Sequence, residues 1–197
     1  MLSHGPARNS SASQAERERG FVAMANGGGS GDFVVADATE AHLPEIVAIF
    51  NHAVRETYAI WSEVETTLEQ RRAWMGYRRS LGFPVIVATN PHRPDEVLGY
   101  GSYGIFRDFP GYVNTVEHSV YVAQAAQRRG IGQAIVSELI RRARAQGLAV
   151  MVGGIDAQNE GSIAMHATLG FERQGCLIGV GRKFGKNLDL VFMVKQL

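Results

Sequence analysis

The chain has 197 residues, a formal net charge of +1 and an apolar share of 45%. That length suits one domain with a sizeable core, with or without a tail. The balanced charge gives no electrostatic case for nucleic acid or an anionic membrane as partner.

Residues 1–32 carry SSAS, a charged ERERG stretch and the run GGGSGD, without sustained apolar periodicity. Such a segment buries too little surface to offset its ordering entropy, so a disordered N-terminal tail is expected there. Met24, just before the glycine run, is a second candidate start. The N-terminus lacks the apolar core of a signal peptide, and no apolar run approaches the ~18 residues of a membrane span. With a single cysteine, Cys176, an internal disulfide is excluded. Its Gly, Leu, Ile and Val neighbours suit a structural thiol better than a catalytic one. A cytoplasmic protein is expected.

A dense pattern runs from Phe33 to Leu197. Phe33 to Ala36 reads as a short strand. Thr39 is placed to cap a helix whose apolar face is Leu43, Ile46, Val47, Phe50 and Val54. A second helix spans Leu68 to Arg79, and the β-branched run Pro84 to Ala88 is a strand. Asn90 to Asp95 is a turn, and Val97 to Phe106 returns as the other arm of a hairpin. The segment Asp108 to Gly111 breaks it, and Val113 to Val122 is a further strand. Gly130 to Gln146 is an amphipathic helix with Ile131, Ile135, Leu139 and Ala143 on one face, closed by Gly147. Val150 to Ile155 is a buried strand, Asn159 caps a short helix ending near Gly170, and two strands flank Lys183 to Asn187. This order is that of an α+β or mixed α/β fold.

The chemistry concentrates at Gln127-Arg128-Arg129-Gly130-Ile131-Gly132, between a strand and a helix. The first N–H groups of a helix lack internal partners and carry partial positive charge. Glycines let a phosphate approach the backbone closely, and the two arginines add cationic reach. By itself the loop is also compatible with a plain strand-to-helix turn bearing surface arginines. A P-loop is excluded, because no GxxxxGK[ST] occurs. A dinucleotide fingerprint is disfavoured, because Ile135 stands where a third small residue is needed. No HExxH and no Cys/His cluster of zinc spacing is present, so no metal is expected.

Gln127-x-x-Gly130-x-Gly132 resembles the pyrophosphate loop of the GNAT superfamily of N-acetyltransferases, and Asn159…Ser162…His166-x-x-Leu169-Gly170-Phe171 resembles that superfamily's downstream segment. Narrower likenesses lie in Thr39–Ile46, Asn51–Val54, Ala59–Trp61, Thr115–Val122 (TVEHSVYV) and Gly181–Gly185 (GRKFG) with Leu188-Asp189. These resemble the phosphinothricin and methionine sulfone/sulfoximine acetyltransferases. Arg128 departs from the pattern, since many relatives have glycine there.

The resemblance implies a GNAT domain over residues 33–197. Its sheet would be mostly antiparallel, of about seven strands, splayed in the middle and flanked by about four helices. It implies acetyl-CoA as donor, held by Gln127, Arg128, Arg129, Gly130, Ile131, Gly132, Gln133, Asn159 and Ser162 and by the strand Val120, Tyr121 and Val122. Backbone N–H groups of that strand would stabilise the oxyanion. Glu117 lies in an otherwise apolar strand, where burial raises a carboxyl pKa, and is the candidate general base. A carboxylate satisfied by a neighbouring Arg or His is the competing reading. His166, where many relatives have tyrosine, is either the acid that protonates the leaving thiolate or a structural histidine.

The acceptor is expected at Arg107, Asp108 and Phe109 and at Glu117, His118 and Ser119, closed by Tyr58 and Trp61. An Arg fork suits a carboxylate, and aromatic walls suit a short side chain. The implied reaction acetylates a small amino-acid-like amine, in a homodimer. Alternatives are a GNAT enzyme acting on a protein N-terminus or another amine, and a non-catalytic acetyl-CoA-binding module.

Overall fold

A computed structural model of the chain describes residues 32–197. Apart from Asp32, the tail expected over residues 1–32 lies outside the described residues.

The element order matches the sequence expectation. β1 (Val34–Asp37) leads through a 3-10 turn (Glu40–His42) into α1 (Leu43–Glu56) and α2 (Leu68–Ser80). Three strands follow, β2 (Val85–Asn90), β3 (Arg93–Ile105) and β4 (Thr115–Val122). After α3 (Ile131–Ala145) come β5 (Val150–Asp156), α4 (Glu160–Thr168), β6 (Glu172–Lys183) and β7 (Lys186–Gln196). One seven-stranded sheet results, in the order β1-β2-β3-β4-β5-β7-β6. Every neighbouring pair is antiparallel except β4 and β5, which run parallel. A parallel pair needs a long crossover, and α3 supplies it.

Both faces of the sheet are covered, so residues 85–89 of β2 and 97–104 of β3 are buried. On one face α3 packs Ile131, Ile135, Val136 and Leu139 against Ile86, Val116, Met151 and Met193. Each such aliphatic side chain contributes roughly 1.5–3 kcal/mol. The contact is close: a Cβ on Gly101 of β3 would stand 2.6 Å from Ile135 Cγ2. On the other face α1 and α2 bring Leu43, Ile46, Ile49 and Met75 onto Val85, Val87, Val97 and Tyr100.

Local chemistry shifts some boundaries. Thr39 begins the 3-10 turn rather than α1, and its N–H donates to His42 Nδ1 at 2.9 Å. Thr67 and Gln70 cap α2 reciprocally: Gln70 N–H donates to Thr67 Oγ1, and Thr67 N–H to Gln70 Oε1. β3 starts four residues before Val97, because the hairpin tolerates register shifts at Thr89. β4 starts at Thr115 rather than Val113, because Pro110–Tyr112 is a 3-10 turn capped by Val113.

Lys183, in the GRKFG segment, is 1% exposed. Its ammonium donates to the carbonyls of Ala53, Thr57 and Ile60 at 3.3, 2.6 and 2.7 Å. These acceptors lie at the C-terminal, negative end of α1 and just beyond it. Nearby, Phe184 N–H donates to Glu63 Oε1, and the Trp61 ring fills the space a Gly181 side chain would need. Lysine, tryptophan and glycine together fasten the loop after α1 to β6.

Candidate active site

β4 and β5 pair only from Thr115↔Val150 to His118↔Gly153. Beyond that point β5 continues alongside β7, while Ser119 to Val122 of β4 continue alongside β3 alone. The direction of the β4 amides follows from two hydrogen bonds. Ala123 N–H donates to Leu98 O on the β3 side, and Asn114 O accepts from Val150 N–H on the β5 side. Backbone groups alternate along a strand, so the even-numbered residues of β4 face β5. Val120 and Val122 therefore present their N–H and C=O groups into the gap. The Tyr121 amide, expected to act with them, faces β3 instead, and its ring packs against Phe50 and Tyr100. A cleft of about 80 Å³ opens at this divergence, lined by Ser119, Val120, Gly154, Asp156, Asn159 and Ser162 among others. A larger recess of about 540 Å³ lies between Asp37, Phe83 and the last turn of α3; none of the motif residues line it.

α3 starts beside β4. Gly130 is its N-cap in the left-handed region, φ 78°, and Ala134 N–H is bonded back to Gly130 O. The N–H groups of Ile131, Gly132 and Gln133 precede the first bonded turn and are available to an anion. Gly132 lies close to Val122 and to Met165 of α4, which brings the helix start to the open edge of β4. Arg128 is also left-handed, φ 63°, the reason glycine suits that position. Holding an arginine so costs roughly 1–2 kcal/mol. Its guanidinium reaches toward Gly161 at the start of α4. Arg129 contacts the exposed Asp32 at 3.7 Å. Free amides, a helix N-terminus and two arginines fit a pyrophosphate, and the unpaired edge of β4 fits an amide-bearing chain laid along it.

Glu117 projects from β4 on the α1/α2 face. Burial raises its carboxyl pKa, and Arg107 and Arg78 oppose the shift. Its Oε1 lies 3.1 Å from where a Gly154 side chain would begin, beside the cleft. Ser119 and Tyr121 share this face.

His118 and His166 lie on the opposite face, stacked with ring centroids 5.0 Å apart. His166 Nδ1 stands 2.7 Å from the Ser162 carbonyl, so it carries the proton. His166 Nε2 is then the acceptor in the 3.1 Å contact with His118 Nε2, which donates. This leaves His118 Nδ1 unprotonated, and that atom is buried without a hydrogen-bond partner. One ring proton thus goes to the Ser162 carbonyl and the other bridges the pair, at the wall of the cleft that both rings line. Burial lowers the pKa of both rings, that of His118 to about 3. His166 thus ties α4 to β4 through His118, and both rings also line the cleft. Asn159 caps α4, accepting from Ser162 N–H at 3.0 Å, and also lines the cleft.

The other expected acceptor residues are less gathered. Arg107, Asp108 and Phe109 are exposed, and Arg107 lies over its own neighbour Phe106, 4.5 Å from the ring centroid. Tyr58 packs edge-on to Phe184. Among the described residues no group of three or more His, Cys, Asp or Glu side chains could hold a metal ion. No described helix is long and apolar enough to cross a membrane. The sequence reading missed Arg71, Arg78 and Tyr100, which surround the Glu117 face.

The histidine pair has a pH consequence. In the folded state both rings are held below the ordinary pKa of 6.5, so the unfolded chain binds more protons. Stability is full above that value and falls as pH drops from 6.5 toward about 3. Urea unfolding between pH 7.5 and 5 should show this slope, shallower in His118→Phe; equal slopes would contradict the neutral pair.

Comparison with known proteins places this geometry. Residues 46–171 match the acetyltransferase (GNAT) family. The chain is 49% identical over 163 residues to the L-methionine sulfoximine/L-methionine sulfone acetyltransferase of Pseudomonas aeruginosa, covering 83% of this chain and 94% of that one. A solved ribosomal-protein-alanine N-acetyltransferase from Brucella melitensis superposes with TM-score 0.80 at 48% identity, covering 83% of this chain and 99% of that one. A phosphinothricin acetyltransferase from Sinorhizobium meliloti, solved in complex with AcCoA, superposes with TM-score 0.81 at 32% identity, covering 85% and 89%. With its splayed β4 and β5 and the glycine turn into α3, the chain belongs to the GNAT family of N-acetyltransferases.

Proposed function

We propose that the protein transfers the acetyl group of acetyl-CoA to the α-amine of a small amino acid of the methionine sulfoximine, methionine sulfone or phosphinothricin type. The observation that carries the reading is Glu117, a partly buried carboxylate with a raised pKa, beside the gap where β4 leaves Val120 and Val122 unpaired. The names of the relatives support the acceptor class.

The donor supplies the thioester acetyl group. Ile131, Gly132 and Gln133 amides with Arg128 and Arg129 would hold its pyrophosphate, with Gln127 and Gly130 shaping the turn. The open edge of β4, with Asn159 and Ser162 opposite, would hold the rest. An acceptor amine arrives protonated and must lose a proton before it attacks. Glu117 takes that proton, directly or through water. The Val120 N–H donates to the carbonyl oxygen as negative charge develops there; such a donor is worth ~2.7–4 kcal/mol of transition-state stabilisation. The reading includes a cytoplasmic enzyme, where the donor is available.

A second reading, acetylation of a protein N-terminus, is favoured by the name of the Brucella melitensis neighbour. A thiol-release assay with acetyl-CoA separates the two, run against methionine sulfoximine, methionine sulfone, phosphinothricin and peptides with N-terminal alanine. Turnover of the free amino acids is expected, and turnover of peptides alone would overturn the proposal. Because the base works deprotonated, kcat/KM should fall on the acid side with an apparent pKa above that of an ordinary carboxylate. Glu117→Gln should lower kcat by about 10²–10⁴ with little change in KM for acetyl-CoA. An unaltered pH profile in that variant would remove the base role.

We further propose a homodimer. Leu177 is 46%, Ile178 74% and Val180 55% exposed, all on the edge strand β6. Exposed apolar surface of this kind marks an association face. Sedimentation should give a dimer that Ile178→Glu dissociates; a monomeric wild type would exclude it.

A further inference from the structure

Glu117 of β4 and Gly104 of β3 are direct register partners, so their side-chain directions share one face of the sheet. Gly104 leaves its place empty, and the Arg78 guanidinium from α2 occupies it: a Cβ there would overlap Nη1 and Cζ and stand 3.0 Å from Nη2. α2 therefore sets a cation against β3, beside the carboxylate expected to act as base. The local sequence is built for this, since any side chain at residue 104 would expel it.

The two charges are neighbours but not partners. No ion pair joins Arg78 to Glu117 among the described residues. Arg78 Nε is buried without a hydrogen-bond partner, and so is the hydroxyl of Tyr100, which is 1% exposed on the same face of β3. Burial pulls the Arg78 pKa down, against the influence of Tyr77 and Glu117. An unsatisfied buried donor costs about 1–3 kcal/mol, more when charged, and such a group is explained when a ligand completes it. Arg107 also acts on Glu117, more strongly than Arg78 does, but it lies exposed in the turn after β3, whereas Arg78 is half-buried against β3.

An unpaired carboxylate beside an unpaired guanidinium complements a zwitterion. We propose that Arg78 binds the α-carboxylate of the acceptor while Glu117 receives its α-ammonium, so that Arg78 selects free amino acids over peptide amines. This rests on the acceptor class proposed above. A free amino acid carries both charges on one carbon and satisfies both residues together. A peptide N-terminus presents a neutral amide at that position and leaves the guanidinium desolvated and unpaired, the situation that discriminates most strongly.

The test compares L-methionine sulfone with its carboxamide, which differs only at the carboxylate, in wild type, Arg78→Gln and Arg78→Lys. Wild type should prefer the free acid. Arg78→Gln should raise KM for the acid about tenfold or more, leave KM for the carboxamide and for acetyl-CoA unchanged, and so collapse the preference. Arg78→Lys keeps the charge but loses the planar fork, and should fall between; it also serves if the glutamine variant does not fold. A preference for the acid that survives in both variants overturns the role of Arg78. Turnover of neither form by wild type would instead overturn the acceptor class, and this inference with it.

Discussion

The site depends on the point at which β4 and β5 part. They pair through His118 and Gly153 and then diverge, each held by its other neighbour, β3 or β7. Strand polarity makes the consequence definite: Val120 and Val122 turn both backbone groups toward a strand that is no longer there. Unpaired backbone next to a buried sheet is costly unless something bonds to it. In the proposed reaction the donor's amide-bearing arm would lie there, with the N-terminus of α3 at its end to take the phosphates.

The gap also separates two chemical environments. One face carries the His118–His166 clamp, the α4 cap at Asn159 and the α3 helix, apart from the cleft neutral and densely packed. The other carries Glu117 with Arg78, Arg107 and Arg71 around it, flanked by Tyr100 and Tyr121. In the proposed reaction, donor and acceptor would enter from different sides and meet at the open edge of β4. Lys183 supports the acceptor side indirectly, since its three carbonyl bonds fix the loop that bears Tyr58 and Trp61.

Much of this was legible in the sequence because it is local. The periodicity of α3, the glycine turn before it, Asn159 at the start of α4 and a lone acid in an apolar strand are all visible along the chain. Arg128 was visible as a departure; the structure shows why glycine suits it, a left-handed φ of 63°. What the sequence could not show depends on pairing between distant segments. That only alternate β4 residues turn their backbone groups to the gap follows from strand register, which points the Tyr121 amide at β3. That His166 stacks on His118 follows from a contact across 48 positions. Arg78 lies in a helix that reads as surface, and only the register of Gly104 with Glu117 shows where its guanidinium goes. Arg107, Asp108 and Phe109 are adjacent in sequence and lie exposed in the turn after β3, with Arg107 near enough to influence Glu117.

The most direct measurement is amide hydrogen exchange across residues 119–134 with and without acetyl-CoA. The account predicts that Val120, Val122 and the amides of Ile131, Gly132 and Gln133 become strongly protected on binding, while Tyr121, already bonded to β3, changes little. Protection of Tyr121 with none at Val120 and Val122, or no protection at the start of α3, would contradict it.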